Sequence, residues 1–288
     1  MATDLFSSID TIFNQYLEQH PDLHEKWLLE QTLYTGQERR NILRVLPIQP
    51  DTRVLDLGTG FGALALDLSV MKPVQIDAVD VDSATVQVAQ ELSEQLRALP
   101  DEKPQSTIHY ANANIYQLPF ADATFDFIMA RYLFQHLTDP RKAMAEAFRV
   151  LKPGAMICLI DIDDQLTISY PEDLPEFQTL KQAFSQLQTA RAGDRLVGRK
   201  LASFIHQAGL NVVASIISPM SQFTNSEKGD ITLELTVKKF EASRAEILHA
   251  GLLSEQEFDR CLHTVATNPV GWQFNTNGQM IVIGQRPQ

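Results

Sequence analysis

Cysteine is nearly absent from this chain, with two in 288 residues. Cys158 and Cys261 offer no metal-binding spacing and no disulfide framework. Cys158 lies in an apolar, strand-like run and reads as a core thiol, which fits a reducing compartment. Long apolar runs are missing too: no segment approaches the roughly 18 consecutive apolar residues of a membrane span. Positive charge is in deficit, with 24 Lys and Arg against 36 Asp and Glu, a net charge of −12. That balance disfavours nucleic acid as a partner, because phosphate binding needs a basic surface. Met1–Asp10 lacks a basic region followed by an apolar stretch, so no signal peptide is expected. The expectation is a soluble, cytoplasmic protein with no membrane partner. No internal repeat and no low-complexity tract is visible. What remains is 44% hydrophobic, enough for one large α/β domain with insertions, or a domain plus a cap.

Glycine is concentrated where it matters. Val54-Leu55-Asp56-Leu57-Gly58-Thr59-Gly60-Phe61-Gly62 reads as a buried strand, a glycine-rich turn and the start of a helix at Ala63. The glycines permit a sharp turn and a close ligand approach. The turn leads to a helix N-terminus, where free N–H groups favour negative charge. Its G-x-G-x-G spacing sits one residue off the dinucleotide fingerprint G-x-G-x-x-G. A second strand, Val74–Asp80, ends in an acid 22 positions after Gly58, close to the roughly 20 expected for a ribose-binding carboxylate. Asp80 can instead cap the helix that begins near Ser83; at this distance from a glycine loop the ribose reading is preferred.

Strand and helix signals alternate from 51 to 165. Strand-like runs are Val54–Leu57, Ile76–Asp80, Thr107–Ala111, Phe125–Ala130 and Met156–Asp161. Helical stretches lie near Ala63–Met71, Ser83–Leu99 and Pro140–Leu151. The last opens on Pro and closes on Lys152-Pro153-Gly154, good start and stop signals. Such alternation implies a parallel sheet with right-handed crossovers and a ligand outside the carboxyl ends of its strands. Residues 1–50 read as amphipathic helices that could cover the pocket, although packing against the sheet edge suits most of their apolar residues better. Residues 166–194 read as a loop and a helix. Further signals predict a helix from about Leu196 to Ala208, a sixth strand at Asn211–Ile217, helices at Leu233–His249 and Ser254–Val265, and a last strand at Gln279–Gly284.

The motif Asp56-Leu57-Gly58-Thr59-Gly60-Phe61-Gly62, with Asp80 after it, resembles motif I and the following acid of class I S-adenosylmethionine-dependent methyltransferases. Leu118-Pro119-Phe120, Phe125–Arg131, Gln135-His136-Leu137 and Arg149–Gly154 resemble the same family in the same order, especially its bacterial small-molecule branch. The likeness is dense over about 51–161 and looser beyond. It implies a Rossmann-like α/β fold: a seven-stranded, mostly parallel sheet with helices on both faces. It also implies an antiparallel last strand inserted beside the sixth, and a helical cap. The expected organisation is an N-terminal helical cap (1–50), a cofactor-binding core (51–165), an insertion (166–194), core again (195–220), a helical insertion (221–278) and a final strand (279–288).

The resemblance also implies roles. The loop Gly58-Thr59-Gly60-Phe61-Gly62 should approach the methionine and ribose of S-adenosylmethionine. Asp56 should orient the amine, directly or through water. Asp80 should hold the ribose, and Val81 could lie against the adenine. Asn114 and Ile115 take the positions where the family has an acid and a backbone N–H to the adenine. Asn is a departure that keeps an acceptor oxygen. Asn112 competes for that role, and turn chemistry accounts equally well for both asparagines. Arg131 could contact the cofactor's carboxylate, anchor a substrate, or bridge surface acids.

His136 is the one obvious titratable candidate near the expected methyl site. As neutral imidazole it could accept a proton from a hydroxyl or amine nucleophile; otherwise it packs the short helix before Asp139-Pro140. Tyr132, Tyr34 and Tyr170 are weaker pocket candidates. Asp161, Asp163 and Asp164 raise a divalent metal. That site would also want an acid at the end of the fourth strand, where Ala130-Arg131 stands. A solvated loop with one acid facing the pocket, and no metal, is therefore expected.

The Asn-Pro-Pro-aromatic motif of nucleic-acid and protein amino methylation is missing. The expected activity is methyl transfer from S-adenosylmethionine, leaving S-adenosylhomocysteine, to an O, N or C atom of a small molecule. A homodimer is compatible with the sequence. Two other readings stand beside this one. One is an S-adenosylmethionine-binding protein without methyl transfer, as a sensor or cyclase. The other is a nicotinamide-dependent oxidoreductase, which the glycine spacing disfavours.

Overall fold

Strand residues Leu55 and Leu57 pack on one side of the sheet and Val54 on the other, as the two-residue strand period requires. Both faces are covered, which is why the parallel strands read as unbroken apolar runs. In the computed structural model, which describes residues 5–23, 26–100, 104–225, 231–267 and 272–288, these strands belong to one seven-stranded sheet.

Three helices come first: α1 (Leu5–Gln19), α2 (Lys26–Tyr34) and α3 (Gly36–Val45). The alternating part runs β1 (Arg53–Leu57), α4 (Ala63–Met71), β2 (Gln75–Asp80), α5 (Ser83–Ala98), β3 (Thr107–Asn112), β4 (Phe125–Arg131), α6 (Pro140–Val150) and β5 (Leu151–Tyr170). Then follow α7 (Pro175–Ala190), α8 (Leu201–Gln207), β6 (Asn211–Asn225), α9 (Ile231–His249), α10 (Glu255–Thr267) and β7 (Trp272–Gln285).

The strand order is β3-β2-β1-β4-β5-β7-β6. Strands β1 to β5 pair in parallel. β7 lies between β5 and β6, antiparallel to both. The expected fold class and the antiparallel last strand are therefore both present.

Helices α6 and α8 cover one face, and α3, α4 and α5 the other. Helices α1 and α2 form an outer layer on α4 and α5, with Phe13, Leu29, Leu66 and Leu92 in one cluster. Helices α7, α9 and α10 share a separate core around Phe184, Phe240 and Phe258. An ion pair from Lys238 of α9 to Glu30 of α2, 2.9 Å long, joins this bundle to the N-terminal helices. Among the described residues no helix is long and apolar enough to cross a membrane.

The last three strands are longer than the sequence predicts. Met156–Asp161, Asn211–Ile217 and Gln279–Gly284 are the inner parts of β5, β6 and β7. All three run on together, with Tyr170 opposite Phe274 and Asn225 opposite Trp272. Ser, Gln, Asn and Thr fill this extension, and a register shift interrupts it between Ile162 and Thr167. Its apolar residues therefore show no sustained alternation along the chain.

Helix α3 is tied to α4 inside the protein. Asp67 of α4 is fully buried and accepts from Arg39 Nε at 2.7 Å and Arg40 Nε at 3.0 Å. Arg39 also donates to the Thr32 carbonyl, and Arg40 to Asp10. Removing one member of such a network leaves uncompensated buried charge, at about 3–5 kcal/mol. Asp67→Asn should lose stability of that order, read as a lower urea midpoint with an unchanged m-value; an unchanged midpoint would show the tether to be dispensable.

Candidate active site

The site forms at the carboxyl ends of β1, β2, β3 and β4. The glycine loop leaves β1 with the N–H groups of Gly58 and Thr59 both donating to the Val79 carbonyl of β2. Gly62 opens α4 at φ 77°, and a Cβ there would stand 2.7 Å from the Tyr110 hydroxyl oxygen. Side chains rarely adopt that backbone region, so glycine is required on both counts. Gly60, at φ 51°, is different: a Cβ there would meet no described atom within 4 Å. Its backbone faces open space, as a cradle for a close-fitting ligand does.

Asp80, at the end of β2, accepts from Gly60 N at 2.9 Å through one oxygen and from Asp82 N at 3.0 Å through the other. Each carboxylate oxygen keeps a lone pair, so two vicinal hydroxyls can still be received. The helix-capping alternative belongs to Asp82, which receives Ala84 N–H at 3.0 Å. Val81 is 72% exposed, an uncovered apolar surface beside that carboxylate.

Asn112 ties the strand ends together, donating to the carbonyls of Asp80 and Val81. Asn114 accepts the Tyr116 N–H at 2.9 Å in a local turn. It keeps one acceptor lone pair, and half-buried Ile115 follows it.

Asp56 is buried beneath the loop, and its carboxylate accepts from the Thr59 hydroxyl at 2.7 Å. Burial pushes its pKa up to about 7; the Thr59 bond works against this, and the Asp80 charge adds to it.

Arg131 ends β4 and does not bridge surface acids. Its guanidinium lies 4.0 Å above the ring of Tyr132, a residue held at φ 59°. Bulky residues rarely take that left-handed conformation, and such strain clusters at functional sites. Next comes a short 3-10 turn, Phe134–His136. His136 sits at its exposed end. Desolvation by its surroundings, and then the Arg195 charge, lower its pKa, while Asp80 pulls it upward. The imidazole is therefore neutral at neutral pH and able to accept a proton.

The carboxylate run after β5 corrects the expected solvated loop. Asp161 and Asp163 are buried, and all three acids lie within β5. Asp161 accepts the N–H groups of Gln135 and Ile162 and so pins the turn that carries His136. Arg199 pairs with Asp163 through two nitrogens, and Arg195 with Asp164 likewise. The helix expected from about Leu196 begins only at Leu201, and both arginines precede it, Arg195 in a turn and Arg199 in the 3-10 turn Gly198–Lys200.

Three further residues join the site that the sequence does not single out. Glu38 of α3 receives hydrogen bonds from Gln279 of β7 and Ser218 of β6. Burial raises the pKa of Glu38, and the nearby Arg131 charge lowers it. No motif marks any of them; the excess of arginine and acid in Gln37-Glu38-Arg39-Arg40 is the one local signal. Tyr34 and Tyr170 lie on α2 and at the far end of β5.

The strand order and this arrangement define a class I methyltransferase fold. Comparison with known proteins agrees. Residues 55–159 match the family model described as the methyltransferase domain. The chain is 28% identical over 230 residues to an uncharacterised 37.1 kDa protein from a transposon of Streptomyces fradiae, covering 79% of this chain and 61% of that one. It is 27% identical over 218 residues to an O-methyltransferase of Aspergillus nomiae, covering 72% and 90%. A crystal structure of a methyltransferase-like protein from Bacillus halodurans superposes with a TM-score of 0.60 at 14% identity, over 88% of this chain and 100% of that one. The chain carries a methyltransferase domain of the class I S-adenosylmethionine-dependent family.

Because Asp161 is raised to about 7 by burial, the folded protein holds a proton there that the unfolded chain has released. Its contribution is complete below the free carboxyl value and is lost as pH rises through about 7. Urea stability of the ligand-free protein should fall between about pH 5 and pH 8, and Asp161→Asn should fall less steeply. Parallel slopes for the two proteins would refute this.

Proposed function

We propose that this protein moves the methyl group of S-adenosylmethionine to an O, N or C atom of a small molecule. One observation carries the reading: the open glycine loop at Gly60 is hydrogen-bonded to Asp80, itself fixed through both oxygens and next to exposed Val81. These residues fit a nucleoside with a charged tail. Asp80 takes the ribose hydroxyls, Val81 the adenine face, and Asn114 with Ile115 the adenine edge. Gly58, Thr59, Gly60 and Gly62 bring backbone against the tail, with Asp56 toward its amine.

S-adenosylmethionine supplies a methyl group already activated on a sulfonium, so alignment and water exclusion provide most of the rate. The chain contributes both. Glu38 of α3 borders the strand ends, and the bundle of α7, α9 and α10, joined to α2 by the Lys238–Glu30 pair, would exclude water as a cap. His136, neutral and held in place through Asp161, accepts the proton that a hydroxyl or amine acceptor must lose. The acidic surface charge and the family likeness both favour a small acceptor.

Calorimetric titration tests the cofactor site. The wild-type protein should bind S-adenosylhomocysteine, and Asp80→Ala should bind it at least about tenfold more weakly, a loss of about 1.4 kcal/mol. A folded wild-type sample that binds neither S-adenosylmethionine nor S-adenosylhomocysteine would remove the proposal. With an acceptor found by mass-spectrometric screening for methylated products, His136→Ala should lower kcat by about 10²–10⁴-fold. Unchanged kcat would leave His136 a purely structural role.

A further inference from the structure

Four buried side-chain atoms at one place have no hydrogen-bond partner among the described residues: Arg131 Nε and Nη2, Glu38 Oε2 and Gln279 Oε1. Folded proteins rarely leave such atoms unpaired, and an unpaired group asks for an explanation. These four belong to a single cluster. Gln279, 2% exposed, donates through Nε2 to Glu38 Oε1, and Ser218 donates to the same oxygen at 3.3 Å. Arg131 acts electrostatically on Glu38, yet its Nε and Nη2 stop short of hydrogen-bonding it.

The chemistry of the four atoms is specific. Arg Nε–H and Nη2–H leave the guanidinium side by side, a two-donor fork that matches a carboxylate. Glu38 Oε2 and Gln279 Oε1 only accept, so they match an ammonium group. Two donors and two acceptors left unpaired in one cluster complement a molecule that carries a carboxylate and an amine close together.

Sheet order indicates which molecule. The nucleoside-binding features stand at the ends of β1, β2 and β3. The cluster runs the other way, from Arg131 at the end of β4, across β5, to Gln279 of β7. There Gln279 lies opposite Ile162 of β5 on one side and Ser218 of β6 on the other. At about 4.8 Å per strand, Gln279 is roughly 10 Å beyond Arg131, away from the nucleoside half.

We propose that Arg131, Glu38 and Gln279 anchor the methyl acceptor, and that the acceptor is an α-amino acid or a small molecule bearing an α-amino-acid group. This assignment rests on the methyl-transfer reading above. The cofactor's own tail has the same carboxylate-and-amine chemistry, so the experiment must separate the two sources.

Three arms do so with the full-length chain. Wild type, Glu38→Gln and Arg131→Gln are first titrated with S-adenosylhomocysteine alone. The protein loaded with S-adenosylhomocysteine is then titrated with each of the twenty common amino acids. Each amino acid that binds is finally compared with its decarboxylated amine and its deaminated acid. Both variants should hold S-adenosylhomocysteine within about threefold of wild type. At least one amino acid should bind loaded wild type, bind tenfold or more weakly to each variant, and lose binding when either its carboxylate or its amine is removed.

If no amino acid binds loaded wild type, the pocket holds water only and the inference fails, while the methyl-transfer reading stands. Variants that lose S-adenosylhomocysteine tenfold or more would assign the cluster to the cofactor's tail and overturn the acceptor assignment. Loss of S-adenosylhomocysteine binding by wild type itself would overturn both readings. A variant that fails to fold is replaced by Gln279→Leu, which removes one acceptor without touching a charge and should weaken the amino acid alone.

Discussion

Asp67, buried without solvent contact between Arg39 and Arg40, is the interaction on which the site's geometry depends. A lone carboxylate could not stay ionised at that depth, and neither could a lone guanidinium be tolerated there. Paired, they fix the angle and register of α3 against α4. Both ends of that contact matter. Helix α4 begins at Gly62, so its position sets where the glycine loop opens. Helix α3 carries Glu38 one residue before the first of the two arginines, so the same contact sets where Glu38 points. Cofactor loop and buried acid are thus parts of one rigid assembly.

A second assembly stands across the site. Tyr132 turns the chain out of β4 in a left-handed conformation and lays its ring beneath Arg131. Asp161 then captures the backbone of Gln135, while Gln135 in turn accepts Arg195 through its side chain and Asp194 through its carbonyl. Strand β5, the turn bearing His136 and the segment before α8 are locked together by these bonds. Their shared feature is a carboxyl, Asp161, whose pKa is raised by burial, matched under the glycine loop by Asp56. Each would ionise more readily beside a positive charge.

What the sequence revealed divides along a physical line. The glycine loop, Asp80 and the helix start at Pro140 are local: a few consecutive residues determine the turn, and the spacing survives in the string. The long strands β5, β6 and β7 were foreseen only in their inner halves, because their outer halves are mostly polar and the few large apolar residues there, Ile168, Tyr170, Phe223, Trp272 and Phe274, stand exposed rather than in a buried stripe. Glu38, Ser218 and Gln279 were not foreseen at all. They lie more than 50 residues apart along the chain, on a helix and two strands, and only the tertiary fold makes them neighbours. The acids at Asp161–Asp164 suggested a loop because carboxylates are rarely buried; the arginines that make burial possible stand more than 30 residues further on.

The direction of β7 explains why the wall of the site rises on that side. A parallel strand at the carboxyl edge of a sheet must leave it for a crossover helix, as β1, β2 and β4 do. Antiparallel neighbours have no such obligation and can continue together past the edge. Strands β5, β7 and β6 do this, extending the hydrogen-bonded ladder to Tyr170, Trp272 and Asn225. The extension leaves Phe223 and Trp272, stacked 5.0 Å apart, exposed on its surface. At its base, Gln279 and Ser218 reach Glu38. Reversing one strand thus divides a single sheet into a parallel half, whose turns carry Gly60, Asp80 and Val81, and an antiparallel half, whose longer strands carry Gln279 and Ser218 to Glu38.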